Sequence, residues 1–243
     1  ADLAVLDWAA QVRANSEQVD RVREVPDGPD FYGPVSSLFR ADPHRSDDPT
    51  LDALLALARP DDVWLDIGAG AGRFALPLAL RVREVIAVDP SASMLDALRE
   101  GMAEHGIANI RTIEGRWPIE PSAAGGTLAG DVALIAHVGY DIEPMGTFLD
   151  AMEAAARRLC VAVLMERQPS SIADPFWPPI HGEEREPLPA LGSFVELLRA
   201  RGRDPDVRMV ERRPRAFASH DELARVLRRQ RWVEVGGAKD LRM

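Results

Sequence analysis

At 243 residues, with 46% apolar and 28% charged residues, the chain has the length and composition of one soluble α/β domain with appendages. A formal net charge of −10 argues against a protein that coats nucleic acid by neutralising its phosphates, and no apolar run approaches the roughly 18 residues of a membrane span. The single cysteine, Cys160, excludes an internal disulfide framework, which fits a cytoplasmic location.

The first residues, up to about 20, bring Leu3, Leu6, Trp8, Ala9 and Val12 near helical spacing. Acids lie inside this apolar segment and no basic stretch precedes it, so it is not expected to be a secretion signal; a start at alanine suggests a trimmed beginning. Residues 25–50 are rich in proline, aspartate and glycine and are expected to be irregular around one aromatic island, Phe31, Tyr32 and Phe39. Thr50 to Ala58 reads as a helix that stops before Pro60.

An alternation then begins. Strands are expected near 63–67, 84–89, 109–114, 131–138 and 160–166, and helices near 73–81, 92–105 and 147–159. Continuous apolar strands alternating with helices imply a doubly wound, mostly parallel sheet with helices on both faces. Val132–Ala136 and Val161–Met165 have the character of central strands. After Glu166 the pattern breaks into a stretch with prolines at 169, 175, 178, 179, 187 and 189, expected to be an irregular, mobile cover. Helices near 191–201 and 221–231 and a sixth strand over 206–212 follow. The expected organisation is an N-terminal cap over 1–50 and a main domain over 51–243, interrupted by a cover insertion at about 168–205. Eleven arginines between Arg199 and Arg231 read either as solvated helices with interleaved acids or as a patch for an anionic partner.

The most informative stretch is Val63 to Phe74. An apolar strand runs into a loop with Gly68, Gly70 and Gly72 at alternate positions, with Asp66 two residues before the first glycine. Such a loop brings backbone close to a ligand. A second strand ends in Asp89-Pro90, and Ser91 opens the next helix as its natural cap. Asp89 lies 19 residues after Gly70, near where a doubly wound fold places the carboxylate that holds an adenosine ribose. The dinucleotide fingerprint would need a different glycine spacing. On these residues the chain resembles the class I S-adenosylmethionine-dependent methyltransferases, of the small-molecule type with a Rossmann-like core.

The resemblance implies S-adenosyl-L-methionine as cofactor and a seven-stranded sheet whose last strand is antiparallel. The only candidate for that strand is Trp232 to Gly236, so the sheet is expected to be complete or short at its C-terminal end. The glycine loop, Gly68, Ala69, Gly70 and Gly72, would pass under the methionine part, and Asp66 would face its ammonium group. Asp89 would take the ribose hydroxyls, with Pro90 and Met94 as one wall of the adenine slot. The third strand departs from the family pattern: Gly115-Arg116-Trp117 replaces a gly-asp pair, leaving backbone, Glu114 or stacking on Trp117 to meet the adenine.

Donor and acceptor would meet at the end of strand four, Ala136 to Asp141. His137 is a candidate base that also borders the cofactor, and Tyr140 would orient the acceptor. Cys160 lacks the context of a pyrimidine-C5 nucleophile and is expected to be a small buried hydrophobe. Within the cover, His181, Glu183 and Arg185 are candidate acceptor ligands, as is Tyr32 from the N-terminal side. The histidines are too scattered for a metal site. The expected activity is methyl transfer to a small molecule; an RNA-modifying methyltransferase and a non-catalytic S-adenosylmethionine-binding module are the alternatives. Nucleic acid and membrane are not expected partners, and the chain is expected to be a monomer or homodimer.

Overall fold

The computed structural model describes residues 2–26, 30–211, 219–230 and 232–234. Helix α1 (Asp2–Val22) is followed by a 3-10 helix over Gly33–Phe39 in the stretch expected to be irregular, and by α2 (Pro49–Leu55). The Asp48 side chain accepts from the Leu51 N–H to cap α2, and Pro49 supplies a first position that needs no donor.

The sheet comprises β1 (Val63–Ile67), β2 (Glu84–Asp89), β3 (Ile110–Glu114), β4 (Gly130–Ala136) and β5 (Ala156–Val163). Helices α3 (Ala75–Ala79), α4 (Ala92–His105), α5 (Pro121–Ala124) and α6 (Met145–Ala155) connect successive strands. All pairings are parallel and the order is β3-β2-β1-β4-β5. The order reverses between β1 and β4, so the exits of these two strands flank the crevice where such sheets take ligands.

The sheet therefore has five strands among the described residues, not seven. Residues 206–211 form no strand, residue 212 of the expected sixth strand lies outside the described residues, and 232–234 form none either; 235 and 236 also lie outside. Among the described residues β5 is consequently an edge. It begins at Ala156, directly where α6 ends, earlier than the expected 160. Its residues alternate between half-buried and exposed, so Val161 and Val163 pack on the core while Cys160 is exposed instead of buried. A strand with no neighbour on one side cannot bury both faces as a central strand does.

Strand alternation divides the apolar residues between two faces. Val63, Leu65 and Ile67 face one core with Trp8 and Val12 of α1 and Phe148 and Met152 of α6. Trp64, Val85, Val132 and Leu134 face the other, with Leu51 and Leu54 of α2 and Leu95 and Leu98 of α4. By the same alternation Asp66 shares the face of Trp64.

The proline-rich segment is regular over Pro169–His181 and irregular only from 182 to 190. A 3-10 helix over Pro169–Phe176 continues into α7 (Trp177–His181), with Trp177 and Ile180 fully buried. Prolines sit at the first positions of both turns, where the missing N–H costs nothing. Helices α8 (Leu191–Ala200) and α9 (His220–Arg229) follow. Most of the arginine-rich region beyond Arg208 lies outside the described residues or has undescribed side chains.

Candidate cofactor and acceptor site

The site is assembled at the carboxyl ends of β1, β2 and β4. The glycine loop leaves β1 and is fastened over the end of β2: the N–H groups of Gly68 and Ala69 both donate to the Val88 carbonyl, at 2.7 and 3.0 Å. Gly68 has φ +77°, and a Cβ there would lie 2.3 Å from the Val138 side chain. Glycine is thus required at 68 by the β4 exit, a neighbour that local sequence reading could not supply. At Gly72 a Cβ would fall 2.3 Å from Leu98, which lets α4 pack close. Gly70 differs. It has φ +55°, and a Cβ there would meet only the Met94 methyl at 3.9 Å, so space beside it is left open by the protein itself.

Asp89 ends β2 in the expected place. Its Oδ2 accepts from the Gly70 N–H at 2.8 Å and its Oδ1 from the Ser91 N–H at 2.9 Å. Burial pushes its pKa up, and those two backbone donors offset part of the rise. A carboxylate has about four acceptor directions, so one per oxygen stays available for hydroxyl donors. Ser91 caps α4 by accepting from the Met94 N–H at 3.2 Å, as the sequence suggests. Met94 is buried near the glycine loop with Ala71 and Ala97.

Asp66 is the most unusual group. It is 1% exposed inside a strand otherwise made of apolar residues, and its Oδ2 has no hydrogen-bond partner. Burial, and secondarily the nearby Asp89, push its pKa up to about 7. An orphaned buried carboxylate at a strand end awaits either a proton or a cation. Beside it, the open space at Gly70 and the acceptors of Asp89 fit a ligand with an ammonium group and a ribose diol.

After β3, the Gly115 N–H donates to the Asp89 carbonyl at 3.0 Å, which sets the β3 exit beside the β2 exit. Arg116 is exposed. Trp117 is half-buried: its indole packs on the core face that includes Phe148, and its Nε1 donates to the Phe148 carbonyl at 3.3 Å.

After β4 the backbone turns sharply. His137 adopts φ +59° and Gly139 φ +108°, and the His137 N–H donates to the Val163 carbonyl at 2.8 Å. A left-handed histidine at a strand exit is a strained position that its surroundings must hold. Tyr140 is buried, and its hydroxyl accepts from the Met165 N–H at 2.8 Å, tying the β4 exit to the start of the cover.

The candidate acceptor ligands of the cover each have partners within the protein. Glu183 pairs with Arg21 of α1 at 2.8 Å, which lowers its pKa. His181 stacks at 4.4 Å on Trp177. Arg185 is buried, its guanidinium lying 4.9 Å from the Trp177 ring centre and 5.8 Å from that of Trp232, with Asp174 at 3.2 Å. These contacts build the cover. Tyr32 stays half open to solvent, edge-on to Phe31 and Phe39.

One residue escaped sequence reading. Asp30 accepts from the Ser91 hydroxyl at 2.8 Å and from the Ser93 N–H and hydroxyl at 3.1 and 2.6 Å, which fastens the N-terminal arm beside Asp89. Its serine partners lie about 60 residues away in a stretch with no periodicity linking the two, so no local signal marks it. No group of three or more potential metal ligands occurs among the described residues.

Several known proteins are similar to this chain over the same stretch. A family model for a methyltransferase domain matches residues 65–141, which run from β1 through the β4 exit. The probable cobalt-precorrin-6B C(15)-methyltransferase (decarboxylating) of Methanothermobacter thermautotrophicus is 29% identical over 173 residues, covering 68% of this chain and 82% of that protein. A 23S rRNA (uracil(1939)-C(5))-methyltransferase of Xanthomonas campestris is 44% identical over only 54 residues, 22% of this chain and 12% of that protein. Among solved structures, the YcgJ protein of Bacillus subtilis aligns over 62% of this chain and 66% of its own, at 18% identity and a TM-score of 0.46. The glycine loop, the buried acid before it, the carboxylate that ends β2 and the matching domain model converge: residues 65–141 carry a methyltransferase domain, and the chain is similar to the class I S-adenosylmethionine-dependent methyltransferases, with S-adenosylmethionine as cofactor.

Proposed function

We propose that the chain transfers a methyl group to a small-molecule acceptor seated between the β4 exit, His137 to Asp141, and the cover over 168–189. The observation that carries this reading is the way α1 and the cover enclose the β4 exit. Trp8 of α1 donates through Nε1 to the Ile142 carbonyl at 2.8 Å, and Gln18 exchanges hydrogen bonds with the Glu184 carbonyl and the Glu186 N–H, both at 2.7 Å. Tyr140 closes the third side through Met165. A β4 exit bounded on these sides suits a small acceptor, whereas a polynucleotide needs an open track. The acidic balance and the long match to a precorrin methyltransferase support the same class. Two RNA-methylating relatives match over only 54 and 58 residues.

S-adenosylmethionine, when bound, supplies a methyl group already activated on a sulfonium. The protein then has mainly to hold two reactants in register. In this reading Asp66 holds the ammonium, the Gly68–Gly72 loop lies under the methionine part, and Asp89 accepts from the ribose hydroxyls, with Pro90 and Met94 beside the adenine. His137, fixed by its backbone bond to Val163, takes a proton from the acceptor. Tyr140 serves as a positioning residue, since its hydroxyl already holds Met165.

Incubation with S-adenosylmethionine carrying a labelled methyl, against a metabolite extract and against total RNA, tests the acceptor class. Label in the small-molecule fraction, lost in Asp89→Ala, is expected. Label confined to RNA would overturn the proposal.

A further inference from the structure

Two carboxylates, Asp30 and Asp89, grip the same serine. Ser91 gives its backbone N–H to Asp89 Oδ1 at 2.9 Å and its hydroxyl to Asp30 at 2.8 Å, while the same hydroxyl oxygen accepts from the Met94 N–H at 3.2 Å. A hydroxyl has one hydrogen and two lone pairs, so donating to Asp30 and accepting from Met94 fixes the Ser91 rotamer. Ser93 adds two more donors to Asp30, and the Tyr32 N–H a third, at 3.0 Å. Asp30 thus satisfies backbone and hydroxyl donors at the start of α4 from outside that helix. These donors hold its carboxyl at about 2, with the Ser93 hydroxyl the largest contributor, so it is ionised throughout the physiological range. The 3-10 helix that follows Asp30 packs along α4, and Arg40 pairs with Glu100 and Glu104 farther down the same helix.

We propose that Asp30 is a positioning residue for the cofactor: through Ser91 it sets the Asp89 carboxylate for the ribose. The inference rests on the cofactor assignment and deepens it. Ser91 already serves the Met94 N–H of α4, and Asp30 serves the neighbouring Ser93 N–H. What Asp30 adds is a link from the arm to the residue that Asp89 depends on.

Calorimetric titration with S-adenosylhomocysteine tests this on four full-length proteins: wild type, Asp30→Asn, Asp89→Ala and the double variant. An amide keeps the size of the carboxylate but loses its charge, so Asp30→Asn should weaken binding about tenfold, the scale of one hydrogen bond to a charged group. The decisive readout is non-additivity. With Asp89 removed there is nothing left to position, so Asp30→Asn should cost less than twofold in that background. A purely structural role for Asp30 would carry the same penalty into both backgrounds and would overturn the proposal, as would unchanged affinity in Asp30→Asn. A wild-type protein that fails to bind would instead sink the cofactor assignment. Thermal melting of each variant identifies any that fails to fold; in that event Ser91→Ala, which breaks the same link from the other side, should reproduce the tenfold loss, and unchanged binding in it would overturn the proposal.

Discussion

Replacing Asp66 with asparagine should separate the cost of the site from its use. The carboxyl is buried without a partner for Oδ2, and its pKa lies at about 7 against an ordinary 3.8. That difference corresponds to about 4 kcal/mol between the protonated and ionised forms. The sign follows from linkage. Because the folded-state pKa is the higher one, the folded protein binds the extra proton between about pH 4 and 7, and stability falls as pH rises through that window. The ligand-free wild type should therefore be less stable at pH 8 than at pH 5, with Asp89 shifting in the same direction. Asp66→Asn should flatten this dependence. Cofactor binding should show the opposite slope, since an ammonium partner favours the ionised acid. Between pH 6 and 8 the ionised fraction rises from about one tenth to about nine tenths, so affinity should increase about tenfold. Denaturant melts of the free protein and calorimetry with S-adenosylhomocysteine at pH 6, 7 and 8 measure both slopes. Wild-type affinity that is flat over this range, or an equal slope in Asp66→Asn, would refute the pairing of Asp66 with the cofactor's ammonium.

Further outcomes follow from the same geometry. Asp89→Ala should weaken S-adenosylhomocysteine binding by about 1.5–3 kcal/mol, read by calorimetry; unchanged affinity would remove Asp89 from the ribose. Gly70→Val should abolish binding in a protein that still folds, because the space beside Gly70 is open in the protein, whereas Gly72→Val should lower the melting temperature by driving a side chain into Leu98 and Leu76. A Gly70→Val protein that binds normally would show that the cofactor lies elsewhere. Trp177→Ala should cost about 3–5 kcal/mol of stability in denaturant melts, since its fully buried ring carries the Arg185 guanidinium and the His181 ring. A loss under 1 kcal/mol would mean that the cover does not depend on it.

The strands and the cofactor loop were legible because their signals are local. A strand, a glycine loop and a helix occupy one continuous stretch, and Asp66, Asp89 and Ser91 can be placed on it by counting. Features that depend on distant residues were not. Asp30 meets Ser91 and Ser93 from across the chain. Val138 adds to the loop's own positive φ in demanding glycine at 68. The edge character of β5, and with it the exposure of Cys160, depends on a neighbouring strand being absent among the described residues, which an apolar run such as Val161–Met165 cannot reveal. The cover was misread for another reason. Proline signals a break in sequence, but within the first turn of a helix its missing N–H costs nothing. Arg185 likewise reads as a loop cation in sequence and is a buried element of the cover in the fold.

The central claim is that the glycine loop and Asp89 hold S-adenosylmethionine, and a crystal structure of the full chain with S-adenosylhomocysteine tests it most directly. Both ribose hydroxyls are expected within hydrogen-bond distance, about 2.5–3.0 Å, of the Asp89 carboxylate. The amino group is expected on the Asp66 side of the Gly68–Gly72 loop, directly or through one water. Density for the ligand away from this loop, or none at saturating concentration, would contradict the claim.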